Sequence, residues 1–116
     1  MRTRDILRAA RRDGKTAGIN AASWVFDGNT TDETYLAFLK GIDDGDPAIL
    51  DSVTTPNLSG EWAGDPTPGS LADAYGLTPN NDPDGERLMA ACYAWEAAAS
   101  DAFWAEIERV ARRHVA

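Results

Sequence analysis

Apolar residues recur along this chain at helical spacing, and no stretch alternates in the manner of a strand. Thr3-Arg4-Asp5-Ile6-Leu7-Arg8-Ala9-Ala10-Arg11-Arg12 reads as a short helix. Thr3 is its N-cap, Asp5 complements the positive dipole end, and Gly14 is a left-handed stop. A second helix is expected from a Thr16 cap to about Phe26, with Ile19, Ala22, Ser23 and Phe26 on one face and Asp27-Gly28-Asn29 closing it. Thr30-x-x-Glu33 is a capping-box pattern. It opens a third helix in which Tyr35, Phe38, Leu39 and Ile42 share a face, and Gly45 ends it. Asp46-Pro47 restarts a helix through about Ser52, with Asp as cap and Pro in the first turn.

Residues 54–85 hold five of the six prolines and five of the ten glycines, which predicts an ordered loop, here built around Trp62. One short helix is expected inside it, with Thr67 as cap, Pro68 at the first position, Leu71, Ala72 and Tyr75 inward, and Gly76 as stop. The last segment carries the strongest pattern. Asp82 caps, Pro83 follows, and neither Pro nor Gly occurs after Gly85, so one helix over 83–115 should reach about 50 Å. The fold class is therefore all-α. Short helices of residues 1–53 pack on the long helix 83–115, and the Pro/Gly-rich segment 54–82 wraps over them.

On a helical wheel, Leu88, Cys92, Trp95, Ala99, Phe103, Ile107 and Val110 form one stripe of that last helix. Met89, Tyr93, Trp104, Ala111 and Val115 form a second beside it, and together they span an arc of about 200°, twice an ordinary amphipathic face. Glu96 and Ser100 fall near the middle of this arc and are candidate buried polar residues. A buried Glu96 requires an ion pair with an N-terminal arginine such as Arg8, or indole donors. The alternative is a polar contact in a ligand pocket or interface. The short helices offer too few large residues to cover both stripes. Tyr93, Trp104, Ala111 and Val115, beside Ala90, Ala94 and Ala97, are then expected to form a two-fold homodimer contact.

Charge changes the picture more than length does. The chain of 116 residues fits one domain, and its net charge of −8 is unevenly spread. Residues 1–15 carry a net +4, residues 16–101 a net −13, and residues 102–116 a net +1. The acidic middle outweighs the basic start, so it is the expected binding face, through Asp43, Asp44, Asp46, Asp51, Glu61, Trp62 and Asp65, with Tyr93 and Trp104 added from the last helix. No run approaches the roughly 18 apolar residues of a membrane span. The start lacks an apolar signal-peptide region, and a lone Cys92 forms no internal disulfide. A cytoplasmic location without membrane attachment is expected.

Chemistry-bearing motifs are weak. His114 is the only histidine and sits at a helix end, where a cation suits the dipole. One Cys and one His do not make a zinc site. Asn80, Asp82, Asp84 and Gly85 match part of a calcium loop, but Ala91 stands where the closing Glu belongs and Pro83 stiffens the turn; a cap for the last helix explains the same residues. Gly14-Lys15-Thr16 lacks the upstream glycine and strand of a phosphate loop. The helix opened by Thr31-Asp32-Glu33 begins acidic, wrong for phosphates, so nucleic acid is not the expected partner. No catalytic, cofactor-binding or metal-ligating residue is assigned, and an enzyme is not expected.

Asp13-Gly14-Lys15, Asp27-Gly28-Asn29-Thr30, Gly41-Ile42-Asp43-Asp44-Gly45-Asp46-Pro47, Leu58-Ser59-Gly60-Glu61-Trp62-Ala63 and Asp65-Pro66-Thr67 resemble phrases of small acidic uncharacterised proteins encoded by actinobacteria and their phages. The resemblance covers about residues 13–75 and implies a bacterial or phage cytoplasmic setting, with no activity to transfer. The expected function is a protein-interaction module, an adaptor or inhibitor. The alternatives are a self-associating assembly protein, or a DNA binder using the basic N-terminal helices.

Overall fold

The structure, a computed structural model, describes residues 2–59 and 66–116, and every regular element among them is a helix. In chain order these are α1 (Thr3–Ala22), α2 (Asp32–Asp44), α3 (Pro47–Leu50), α4 (Pro68–Ala74) and α5 (Glu86–Val115). The molecule measures 53 × 25 × 22 Å, its long axis consistent with the 30 residues of α5 at about 1.5 Å each.

The helix stop expected at Gly14 does not form. α1 runs unbroken through Gly14 and Gly18, and it ends at Ala22 instead of Phe26. Among the described residues, positive φ occurs only at Gly45, Gly76 and Gly85, so Gly14 is not used for a turn. It is used for proximity. A methyl group at Gly14 would overlap the carbonyl oxygen of Trp95, and one at Gly18 that of Ala99. Each glycine weakens an isolated helix by about 1 kcal/mol, and the backbone-to-backbone contact it permits compensates here.

Burial in α1 and α5 has a period of four residues. α1 buries Ile6, Ala10, Gly14, Gly18 and Ala22, while α5 buries Ala91, Trp95, Ala99, Phe103, Ile107 and Ala111. Four residues turn an α-helix through about 40° more than one revolution. The contact line therefore drifts around each helix, in the right-handed sense of any repeat longer than 3.6, as ridges four residues apart mesh with one another. The two helices run parallel. Arg87 Nε donates to Thr3 Oγ1 at 3.1 Å at one end, Gly14 meets Trp95 and Gly18 meets Ala99 in the middle, and Ala22 joins Phe103 and Ile107 beyond.

The remaining elements cover one flank and the far end of this pair. Leu58, Leu71, Tyr75 and Leu77 pack on a flank that includes Ala9, Ala17, Leu88 and Cys92. Tyr75 donates its hydroxyl to Asp13 Oδ2 at 2.7 Å, tying the end of α4 to α1. At the far end, Phe38 and Ile42 of α2 pack against Ala22, Phe103 and Ile107. Phe26 stands edge-on to Tyr35 and Phe38, and the Tyr35 ring stacks on His114 with centroids 4.6 Å apart.

Local capping follows the sequence closely, with small displacements. Thr31, not Thr30, caps α2 by accepting from the Thr34 N–H, and Gly45 ends that helix at φ 65°. Asp46 accepts from the Ala48 N–H ahead of Pro47, but α3 stops at Leu50. Thr67 and Ser70 exchange bonds in a capping box, and Gly76 follows α4 at φ 67°. α1 has Arg2, not Thr3, at its N-cap position, without a side-chain bond, because a guanidinium offers no acceptor; the Thr3 hydroxyl accepts from Arg87 instead. α5 begins at Glu86, three residues later than expected, because Gly85 takes φ 70°. Asp82 still caps it, its two oxygens accepting from the Arg87 and Leu88 N–H groups at 3.0 Å each. No described helix is long and apolar enough to cross a membrane. The expected packing around Trp62 lies outside the described residues.

Candidate functional site

Glu96 is exposed, contrary to the expectation of a buried carboxylate, and no polar or charged residue is buried among the described residues. Arg8, its expected partner, lies on the exposed row Arg4, Arg8 and Arg12 of α1. The exposure of Glu96 has a geometric cause. A wheel assumes one inward direction, whereas the inward direction of α5 rotates by about 200° between Ala91 and Ala111. The wide apolar arc is this drifting line projected onto one circle. Glu96 and Ser100 belong to a flanking row with Leu88, Cys92 and Trp104; Ser100 and Trp104 are half-buried there.

The same rotation corrects the expected dimer patch. Ala111 is fully buried, Val115 is half-buried, and Trp104 sits edge-on to Phe103 at 5.1 Å within the far-end cluster. Of that set only Tyr93, at 69 % exposure, and the small Ala97 beside it stand open.

Tyr93 stands on the lip of a groove that the sequence did not announce as such. The groove runs between α1 and α5 on the flank opposite α4 and has a volume of about 820 Å³. Its floor is Leu7 of α1 and the row Ala90, Ala94, Ala98 and Ala102 of α5, all partly exposed. Arg11 and Lys15 form one bank. Tyr93, Ala97 and Asp101 form the other. The local cause is again the four-residue period: the row beside the buried line of α5 is alanine at four successive turns, too short to reach across to α1. Ile19 continues the α1 bank at 38 % exposure. The signal was present in the sequence as alanine at every fourth position, but it has meaning only once the register of α1 against α5 is known.

The acidic candidates do not converge on this groove. Asp43, Asp44, Asp46 and Asp51 are exposed around the end of α2 and α3, and Asp46 is engaged as a cap. Glu61, Trp62 and Asp65 lie outside the described residues. Sequence reasoning also missed Trp24, which follows α1 and is 86 % exposed. Near the end of α5, Arg109 pairs with Glu106 and Arg112 with Glu108, and the bond from Arg109 holds the Glu106 carboxyl below its usual range. Burial, and then the nearby charge of Glu96, push the Cys92 thiol up, which makes it a poorer nucleophile. No cluster of three or more His, Cys, Asp or Glu side chains suited to a metal occurs among the described residues. Asp82, a candidate calcium ligand by spacing, spends both oxygens on the α5 cap.

No protein-family model, curated protein or solved structure matches this chain.

Proposed function

We propose that the protein is a small acidic interaction module, an adaptor or inhibitor working by binding another macromolecule and not by catalysis, in a bacterial or phage cytoplasmic setting. The observation that carries this reading is the open groove between α1 and α5, apolar along its floor, with Tyr93 exposed on its lip. A groove between two helices with an apolar floor suits a third helix or a projecting aromatic ring. The working surface proposed is thus the groove, with the acidic end of α2 left as a solubilising and steering face. A photo-crosslinking residue at Ala97, introduced in the native cells, should give a discrete larger product, while the same residue at Asp44 should give none. Equal products from both positions, or none from Ala97, would count against the groove.

A second reading rests on the exposed row Arg4, Arg8 and Arg12, next to Arg11 and Lys15 on α1. Such a row suits phosphates, and a nucleic-acid role predicts binding to short duplex DNA that weakens steeply with salt. The net charge of −8 opposes it.

A further inference from the structure

We infer that the groove between α1 and α5 takes an amphipathic helix of another protein, apolar along one face and carrying two carboxylates one turn apart near its middle. This occupant rests on the reading of the groove as a docking surface and says what fits it. The α1 side is the row Leu7, Arg11, Lys15 and Ile19, each four residues from the next, so the row begins and ends apolar and holds two cations between. Arg11 and Lys15 are both exposed, and no carboxylate among the described residues pairs with either. Facing them on α5 is the alanine row from Ala90 to Ala102, about 18 Å long at about 1.5 Å per residue.

The acids of the groove stand towards its ends. Glu86 lies one turn before Ala90 on the same row of α5. Glu106 lies one turn beyond Ala102, held by Arg109, and Asp101 stands on the outer lip beside Ala102. Along the two facing rows the charge therefore runs negative, positive, negative, and that order separates the occupants. A nucleic-acid strand carries a phosphate at every residue and would set some of them against the acids at both ends. A second copy laid groove to groove across a two-fold axis at the centre would bring Arg11 and Lys15 against the same pair. An extended peptide would leave its backbone N–H and C=O groups unpaired over the alanine floor, whereas a helix pairs its own. A helix can also place two carboxylates over the centre and leave both ends uncharged. The alanines keep the floor low, so its axis comes close to those of α1 and α5 and its apolar side chains reach Leu7 and Ile19 at the two ends. The net charge of −8 opposes a strongly acidic partner at long range, which limits the acids such a helix can carry beyond the two that meet Arg11 and Lys15.

The probe is a library of random peptides about sixteen residues long, enough to span the groove as a helix, displayed on phage and selected against the full chain. Enriched peptides should share an apolar stripe at helical spacing, with Asp or Glu at two central positions three or four apart. A synthetic copy of one should gain helix by circular dichroism on binding. Its affinity for the variant Arg11→Glu with Lys15→Glu should fall about tenfold or more. Both side chains are exposed, so that variant keeps its core. Replacing the two peptide acids with lysine should restore binding to the reversed variant and remove it from the wild type. Ala98→Tyr, which raises a ring from the floor, should block the original peptide. Enriched peptides that Ala98→Tyr blocks but that lack acids at their centre overturn the acidic helix and leave the groove a docking surface. Peptides indifferent to Ala98→Tyr, or no enrichment at all, overturn the groove reading as well. Short duplex DNA that displaces the peptide from the wild type, and binds the reversed variant no longer, overturns the helix in favour of nucleic acid.

Discussion

Adding one methyl group at Gly14 should unseat α1 from α5. The new Cβ would overlap the Trp95 carbonyl oxygen, and backbone cannot move aside as a side-chain tip can. Overpacking of this kind costs about 1–3 kcal/mol, against a helix-propensity gain of about 1 kcal/mol, so Gly14→Ala should lower the urea midpoint. Gly28→Ala, where a Cβ would meet only open space, should leave it nearly unchanged. Tyr75 gives a pH-dependent counterpart. Burial, then its bond to Asp13, raise the Tyr75 hydroxyl pKa above the ordinary value near 10. The protonated phenol is therefore favoured by folding: its contribution is complete below about pH 10 and is lost as pH rises beyond it. Tyr75→Phe should lower stability by about 1 kcal/mol at neutral pH and should flatten the alkaline fall of the melting temperature. Glu96→Leu is expected to leave the urea midpoint where it is, since the exposed carboxylate makes no buried contact.

At the scale of elements, what is local was legible and what is long-range was not. Thr67-Pro68, Asp46-Pro47, Gly45 and Gly76 act within four or five residues of themselves, so their pattern alone located α2, α3 and α4 to within a residue or two. Asp82 likewise reads as the cap of α5 from its place before Pro83, and the structure gives it two accepted bonds. Asp82→Ala should cost about 1 kcal/mol and lower the thermal midpoint measured by circular dichroism, with helix content kept below the transition. Gly14 and Gly18 resist such reading because a glycine that stops a helix and one that admits a neighbouring backbone are identical in sequence. The distinguishing feature is the partner, Trp95 and Ala99, some eighty positions away. The groove is half legible for the same reason: Ala90, Ala94, Ala97 and Tyr93 read as an uncovered flank from the pattern alone, but Arg11 and Lys15 are set opposite them only by the α1–α5 register.

For the molecule as a whole, the all-α class and the long final helix followed from the absence of strand pattern and of breakers after Gly85, whereas the inward face of that helix did not. A wheel drawn over thirty residues cannot represent a contact line that turns as it goes, and that placed Glu96 inside and left Trp104 and Ala111 outside. The parallel pairing of α1 with α5 has a further consequence, for how the chain acquires its shape during synthesis. Translation at about 5–20 residues per second leaves α1 waiting several seconds before Trp95 and Ala99 exist to receive its glycines. Alone, a twenty-residue helix carrying two interior glycines is marginal in water. A chain ending at Gly85 should therefore show little helix by circular dichroism, and strong helix there would mean that α1 is stable without its partner. On the ribosome α1 is made before α5 yet settles only after it, and Ile6 and Leu7 stay open to solvent, and to chaperones, until α5 emerges.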